Sequence, residues 1–254
     1  MDVVPTPDVT SLLAAPDPAV PVLTYCDDRT GERTELTAAQ LGAWSARTAT
    51  LLRQGCGLDP GSEVAVLLPA HWQTAAVVLG AWSAGMAISF RSAATAGLAQ
   101  LGETGVGPLD ATFVSAARLD DWLEDVPEAR HRFVLGLAPG GARMPEVPTG
   151  YRDYLAEVGR YPVDTPAYTA IGGADRATAD GTTFDEWWRV TEAVRDQLSL
   201  RSGDRLLVDT AERDHPLWWL LAPLAAGASV VLIANLDPGS RTARAAAEGA
   251  NRVL

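Results

Sequence analysis

Two stretches of this chain, residues 69–90 and 216–236, contain no Asp, Glu, Lys or Arg. Each is about as long as a helix that crosses a bilayer. Each also carries a glycine in its second half, Gly85 and Gly227, followed by a run of small or β-branched apolar residues. A glycine just past a helix adopts the left-handed conformation that ends it. Both stretches therefore read as a buried helix, a glycine stop and a buried strand, not as membrane spans. A strand apolar on both faces belongs in a parallel sheet covered from two sides, so the pair predicts a layered α/β fold.

The segments ahead of them follow the same plan. Residues 64–68 are continuously apolar and follow the turn Leu58-Asp59-Pro60-Gly61, and residues 206–208 follow Leu200-Arg201-Ser202-Gly203. The offset from Gly61 to Gly203 equals that from Gly85 to Gly227, 142 residues in each case. Each half thus runs helix, glycine turn, strand, helix, glycine stop, strand. The first helices open alike, since Thr37-Ala38-Ala39-Gln40 and Thr183-Phe184-Asp185-Glu186 are both capping boxes. Helical spacing then places Leu41, Trp44, Thr48, Leu51 and Leu52 on one buried face, and Trp187, Val190, Thr191, Val194 and Leu198 on the other.

The expected fold class is α/β, with two like lobes of mostly parallel sheet flanked by helices and joined by right-handed crossovers. The expected division is an arm over 1–20, a first lobe over 21–160 and a second, incomplete lobe over 161–254. Further strands are expected at 23–25, 33–36, 87–90, 112–114, 133–137, 167–171 and 230–234. Further helices are expected at 10–15, 71–84, 119–124, 151–158 and 216–226. The Arg/Ala/Glu-rich stretch 241–254 suits a solvated helix over the edge of the second sheet.

All 20 basic residues are arginine. Enrichment in Ala, Arg, Gly and Asp is what a high-GC genome produces, but the chemical consequence stands whatever the cause. No Schiff base, lysine general base or lysine phosphate clamp can form, and arginine stays protonated. The net charge of −12 is spread along the chain, which suits solubility and opposes a nucleic-acid or anionic-membrane partner. Cys26 and Cys56 lack metal-site spacing, and His71, His131 and His215 are far apart, so no metal is expected. Unpaired cysteines and an N-terminus without an apolar signal core point to the cytoplasm.

An ordered series of segments resembles the opening of the acyl-adenylate-forming enzymes, the superfamily of acyl-CoA synthetases, luciferases and nonribosomal-peptide adenylation domains. The segments are Leu23-Thr24-Tyr25, Leu36-Thr37, Gln40-Leu41, Trp44-Ser45-Ala46-Arg47-Thr48-Ala49, Leu58-Asp59-Pro60-Gly61, Val64-Ala65-Val66-Leu67-Leu68-Pro69 and Leu79-Gly80-Ala81-Trp82-Ser83-Ala84-Gly85. The resemblance is good over 23–88, thins towards 158, and resumes over 169–232. It implies the first part of the large N-terminal domain of such an enzyme, without the C-terminal lysine domain.

The motifs that carry the family's ATP chemistry are altered here. Its phosphate loop, TSGTTGxPKG, falls on residues 169–181, where most hydroxyls are gone and the lysine position is Ala177 or Thr178. Asp175 and Asp180 in that loop would repel a triphosphate. Gly172 and Gly173 read either as a small anion nest or as a plain turn. His215 resembles the family's histidine beside the acyl pocket, although the proline of that motif is absent, and it also reads as a structural helix-start residue. Trp218 and Trp219 would line that pocket or belong to the core. The family's adenine-binding segment, ribose-binding Asp and hinge have no counterpart.

The expectation is a non-catalytic relative acting as a binding or interaction protein, without a cofactor. Two alternatives stand beside it. One is an acyl-activating subunit completed by a partner chain. The other is a small-molecule protein that holds an acyl group or a nucleotide such as ATP or AMP near Gly172, Gly173 and His215. A homodimer through the incomplete lobe is compatible with each.

Overall fold

The computed structural model describes residues 11–13, 19–90, 108–119, 126–163 and 171–254. The strands are β1 (Pro21–Asp27), β2 (Glu32–Thr37), β3 (Glu63–Leu67), β4 (Ala87–Phe90), β5 (Leu109–Ser115), β6 (Ala129–Leu135), β7 (Arg152–Asp153), β8 (Arg205–Asp209), β9 (Ser229–Ala234) and β10 (Arg252–Val253). The helices are α1 (Ala38–Thr50), α2 (Trp72–Ser83), α3 (Ala116–Leu119), α4 (Tyr154–Val158), α5 (Phe184–Gln197), α6 (Ala222–Ala225) and α7 (Arg241–Ala247). Among the described residues two five-stranded sheets form, in the orders β10-β8-β9-β1-β2 and β4-β3-β5-β6-β7. Among these pairings, only β1 with β2 is antiparallel. The expected α/β architecture of mostly parallel sheets flanked by helices is thus what the chain adopts.

Sheet membership does not follow the chain. The N-terminal hairpin β1–β2 lies in the sheet of β8, β9 and β10, with Leu23 opposite Val230 and Asp27 opposite Ala234. The reason is visible in β1, whose residues from Val22 to Asp27 are all buried. An isolated hairpin cannot cover both of its faces, whereas a strand between β9 and β2 is covered from above and below.

The repeat extends to backbone detail. Gly61 N donates to Gly85 O at 2.7 Å, and Gly203 N to Gly227 O at 3.1 Å. Ala87 N reaches Ser62 O, and Ser229 N reaches Asp204 O, both at 2.9 Å. All four glycines have positive φ. The strand registers match as well, with Glu63 opposite Ala87 and Arg205 opposite Ser229.

Both capping boxes form. Thr37 Oγ1 accepts from Gln40 N while Gln40 Oε1 accepts from Thr37 N, and Thr183 and Glu186 do the same. All twelve residues of α2 are buried, because it crosses over between β3 and β4 while its cap also meets β1 of the other sheet. One apolar core contains residues of both sheets and of the helices between them.

Several boundaries differ from expectation. Val190, expected inside, is 46% exposed, so the buried face of α5 is carried by Phe184, Thr191 and Val194. The helix expected at 216–226 opens as a wide turn over Leu217–Leu221, where Ala222 N bonds Leu217 O, five residues back. Pro223 follows and has no N–H to offer an α-helical bond. In 151–158 the helix begins only at Tyr154, after the short β7, where Asp153 accepts from Ala156 N at 2.6 Å. The stretch 241–254 is a short helix followed by a strand, β10, that pairs with β8 at the sheet edge. The parts of expected elements at residues 10, 14–15, 120–124 and 167–170 lie outside the described residues.

Candidate functional site

The C-terminal ends of parallel strands are where open α/β sheets bind ligands. Phe90 ends β4, and the segment after β8 carries His215. The imidazole caps its helix, since Nδ1 accepts from Leu217 N at 3.2 Å. That bond assigns the ring proton to Nε2. The ring lies parallel to Trp187 of α5, at 5.6 Å between centroids and 2° between planes, and 5.1 Å from Phe90. Burial pushes its pKa below the ordinary histidine value against the opposing effect of Asp214, so the ring is neutral at pH 7.

The loop 171–183 approaches this aromatic cluster from the other side. Its Ala177–Ala179 stretch extends the edge of β4: Ile88 N donates to Ala177 O at 2.9 Å, and Ala179 N to Ile88 O at 3.1 Å. Trp82 Nε1 also donates to Ala177 O, at 2.8 Å. Ala177 and Thr178, at the place of the resembled family's lysine, are both buried. Arg176 ties the loop to the first half of the chain through Glu63 (2.9 Å) and Gly61 O (3.3 Å).

Four donors of this loop, on Gly172, Thr178 and Thr182, are spent on its own carboxylates. Asp180 Oδ1 accepts from Thr178 Oγ1 (2.6 Å), Thr182 Oγ1 (2.9 Å) and Thr182 N (3.0 Å). The Thr178 hydroxyl, with the Thr182 donors, holds the Asp180 carboxyl below its ordinary pKa. Thr178 Oγ1 in turn accepts from Trp187 Nε1 at 3.2 Å. Gly172 N donates to Asp175 Oδ2 at 2.7 Å, and Asp175 N returns to Gly172 O at 3.0 Å. Gly172 and Gly173 are not among the glycines with positive φ, so the pair forms a turn without the alternating backbone of an anion nest. A Cβ on Gly173 would collide with the Asp185 carboxylate.

The three sequence candidates therefore fall into two clusters. Gly172 and Gly173 sit against Asp175 and Asp185, while His215 sits against Trp187 and Phe90. Trp187 and Thr178 connect the loop to the histidine. Phe90 was not singled out by sequence reasoning, where the available signal was its place at the C-terminal end of a parallel strand; Thr178 was named only as one of two positions for the resembled family's lysine. Trp219 is fully buried and donates to Asp214 O at 2.9 Å. Trp218 is half-buried, with the Arg213 guanidinium 5.4 Å above its ring. Among the described residues no group of three His, Cys, Asp or Glu could hold a metal, and no helix is long and apolar enough to cross a membrane.

His215 has a twin. His71 Nδ1 accepts from Gln73 N at 3.1 Å at the start of α2. Tyr25, on a strand of the opposite sheet, packs edge-on against it at 4.3 Å, where His215 has the tilted ring of Phe90 at 5.1 Å.

Comparison with known proteins places this geometry. The family model described as AMP-binding enzyme matches residues 14–98. A protein of Mycobacterium tuberculosis described as a TIGR03089 family protein is 38% identical over 243 residues, covering 94% of this chain and 93% of its own length. The chain belongs to the TIGR03089 family. The fold of this family member is that of the N-terminal domain of acyl-CoA synthetases. An acyl-CoA synthetase of Brucella canis superposes with a TM-score of 0.76 at 20% identity, over 97% of this chain and 47% of that one. An acetoacetyl-CoA synthetase from Streptomyces lividans gives 0.69 at 19% identity, over 96% and 41%. The chain thus spans less than half the length of these solved synthetases, and at such identity the likeness establishes fold alone.

Proposed function

We propose that this family member is a non-catalytic relative of the AMP-dependent acyl-adenylate-forming enzymes, a pseudoenzyme that acts as a binding or interaction protein in the cytoplasm. The observation that carries this reading is the loop 171–183. A phosphate needs free amide and hydroxyl donors, and here Asp180 and Asp175 already hold those of Thr178, Thr182 and Gly172. An incoming triphosphate would also meet the charge of both carboxylates. The sequence contains no lysine to offset it. On this reading neither ATP nor AMP is a cofactor. The test is ATP–pyrophosphate exchange with a panel of carboxylic acids, alongside thermal titration with ATP–Mg²⁺ and AMP. No exchange and no shift are expected, whereas a ligand at a hundred times its Kd would stabilise by about 2.7 kcal/mol. Detectable acyl-adenylate would sink the proposal.

A second reading rests on the half-buried aromatic cluster of Phe90, Trp187 and His215 beside the C-terminal end of β4. On this reading the cluster would pack against a small acyl or nucleotide ligand held without chemistry. A third reading is completion by a partner chain. Light scattering separates it: a monomeric mass that persists when the chain is co-expressed with candidate partners removes it.

A further inference from the structure

The outer face of the first sheet presents Cys26, Leu207, Val231 and Ile233, and the residues packed over them are Leu236, Ala245 and Ala250. This cover is thin. Within α7 only Ala245 is buried, and alanine side chains remove little apolar area from water. The polar attachments are many by comparison. The Glu248 carboxylate, only 6% exposed, receives Arg33 of β2 at 2.7 Å, Arg244 of α7 at 3.6 Å and Arg205 of β8 at 3.8 Å. The Cys26 thiol donates to Glu248 Oε1 at 3.8 Å, and Arg205 Nε donates to Glu248 O at 2.7 Å. Beyond the helix, Asn251 bonds Asp204 and Arg205 N, both at 2.8 Å, and β10 adds two residues to the edge of β8. Towards its start, Arg241 and Arg244 reach Asp209 (3.1 Å) and Asp28 (2.6 Å).

We infer that residues 241–254 form a strap held more by charge and hydrogen bonds than by apolar area, which is limited to Ala245, Ala250 and Leu254, and that its opening, not global unfolding, governs access to Cys26 and to the sheet face beneath. Glu248 is the pin, because its carboxylate gathers cations from β2, β8 and the strap itself. A buried carboxylate with such partners holds strongly while paired; removing its charge leaves Arg205 without a carboxylate, while Arg33 keeps Glu35 and Arg244 keeps Asp28. A segment with few apolar contacts opens at a free energy below that of the whole fold.

Two measurements on the full chain test the strap. Native-state hydrogen exchange should show amides of 245–254 exchanging at least about tenfold faster than those of β8 and β9. N-ethylmaleimide should modify Cys26 at least about tenfold faster in Glu248→Gln than in wild type, the loss of one charge-assisted bond, with rates taken per thiolate from each protein's own pH profile because the Glu248 charge also raises the Cys26 pKa, and with Cys56 unchanged as the reference thiol. Cys26 reacting equally slowly in both proteins, at the rate of global unfolding, would overturn the inference. If Glu248→Gln does not fold, wild-type exchange decides alone: strap amides that exchange together with those of β8 and β9 reject it.

Discussion

A Cβ at Gly80 would stand 2.6 Å from the carbonyl oxygen of Ser45 and 2.5 Å from Thr48 Cβ. The residue is glycine because α1 and α2 cross there at backbone distance. Gly80→Ala should therefore cost about 1–3 kcal/mol through forced separation of the helices, read as a lower urea midpoint with an unchanged slope. His71 makes a second prediction. Burial pushes its pKa down to about 3, from the ordinary value of 6.5 that the unfolded chain retains. Between these values the unfolded chain binds the proton and the folded chain does not. The stability is thus complete above pH 6.5 and falls as the pH drops towards 3, by at most about 1.4 kcal/mol per pH unit for one such group. His131 and His215 shift in the same direction, also through burial first. Urea midpoints at pH 7.5 and 5.5 should differ less in His71→Gln than in wild type, and an equal difference in both would contradict the assignment. Neither effect was legible in the sequence. Gly80 appeared there only as part of a familiar segment, and His71 as one scattered histidine, because both depend on what the fold brings against them.

At the scale of single elements the local rules held. The capping boxes at Thr37 and Thr183 involve only four consecutive residues, so their chemistry is complete in the sequence. Thr183→Ala should lower stability by about 1 kcal/mol, measurable by chemical denaturation; a change near zero would mean that water replaces the cap. The glycine stops were equally legible, since a positive φ is a property of one residue. Val190 was not, because helical spacing names a face but cannot say how wide its cover is. β10 was not either, as two residues carry no periodicity and become a strand only because β8 offers an edge.

For the whole molecule, the helices between the sheets join both into one apolar core. The two halves should unfold together, so tryptophan fluorescence and far-ultraviolet circular dichroism should give coincident denaturation curves; separated midpoints would show that the halves are independent. By itself the sequence determined the α/β class, the repeat of 142 residues, the turns, the helix caps and the apolar strands. All of these rest on interactions between near neighbours or on the period of side chains along one element. The tertiary structure alone decided that β1 and β2 cross into the sheet of β8 and β9, since strand pairing is settled by which edges remain open elsewhere. It also decided that one of two equivalent histidines is sealed from water and the other lies half-open beside Trp187, and that Gly172, Thr178 and Thr182 of the loop 171–183 donate to its own carboxylates. Burial and hydrogen-bond partnership are relations between distant segments, and they exist only once the layers have closed.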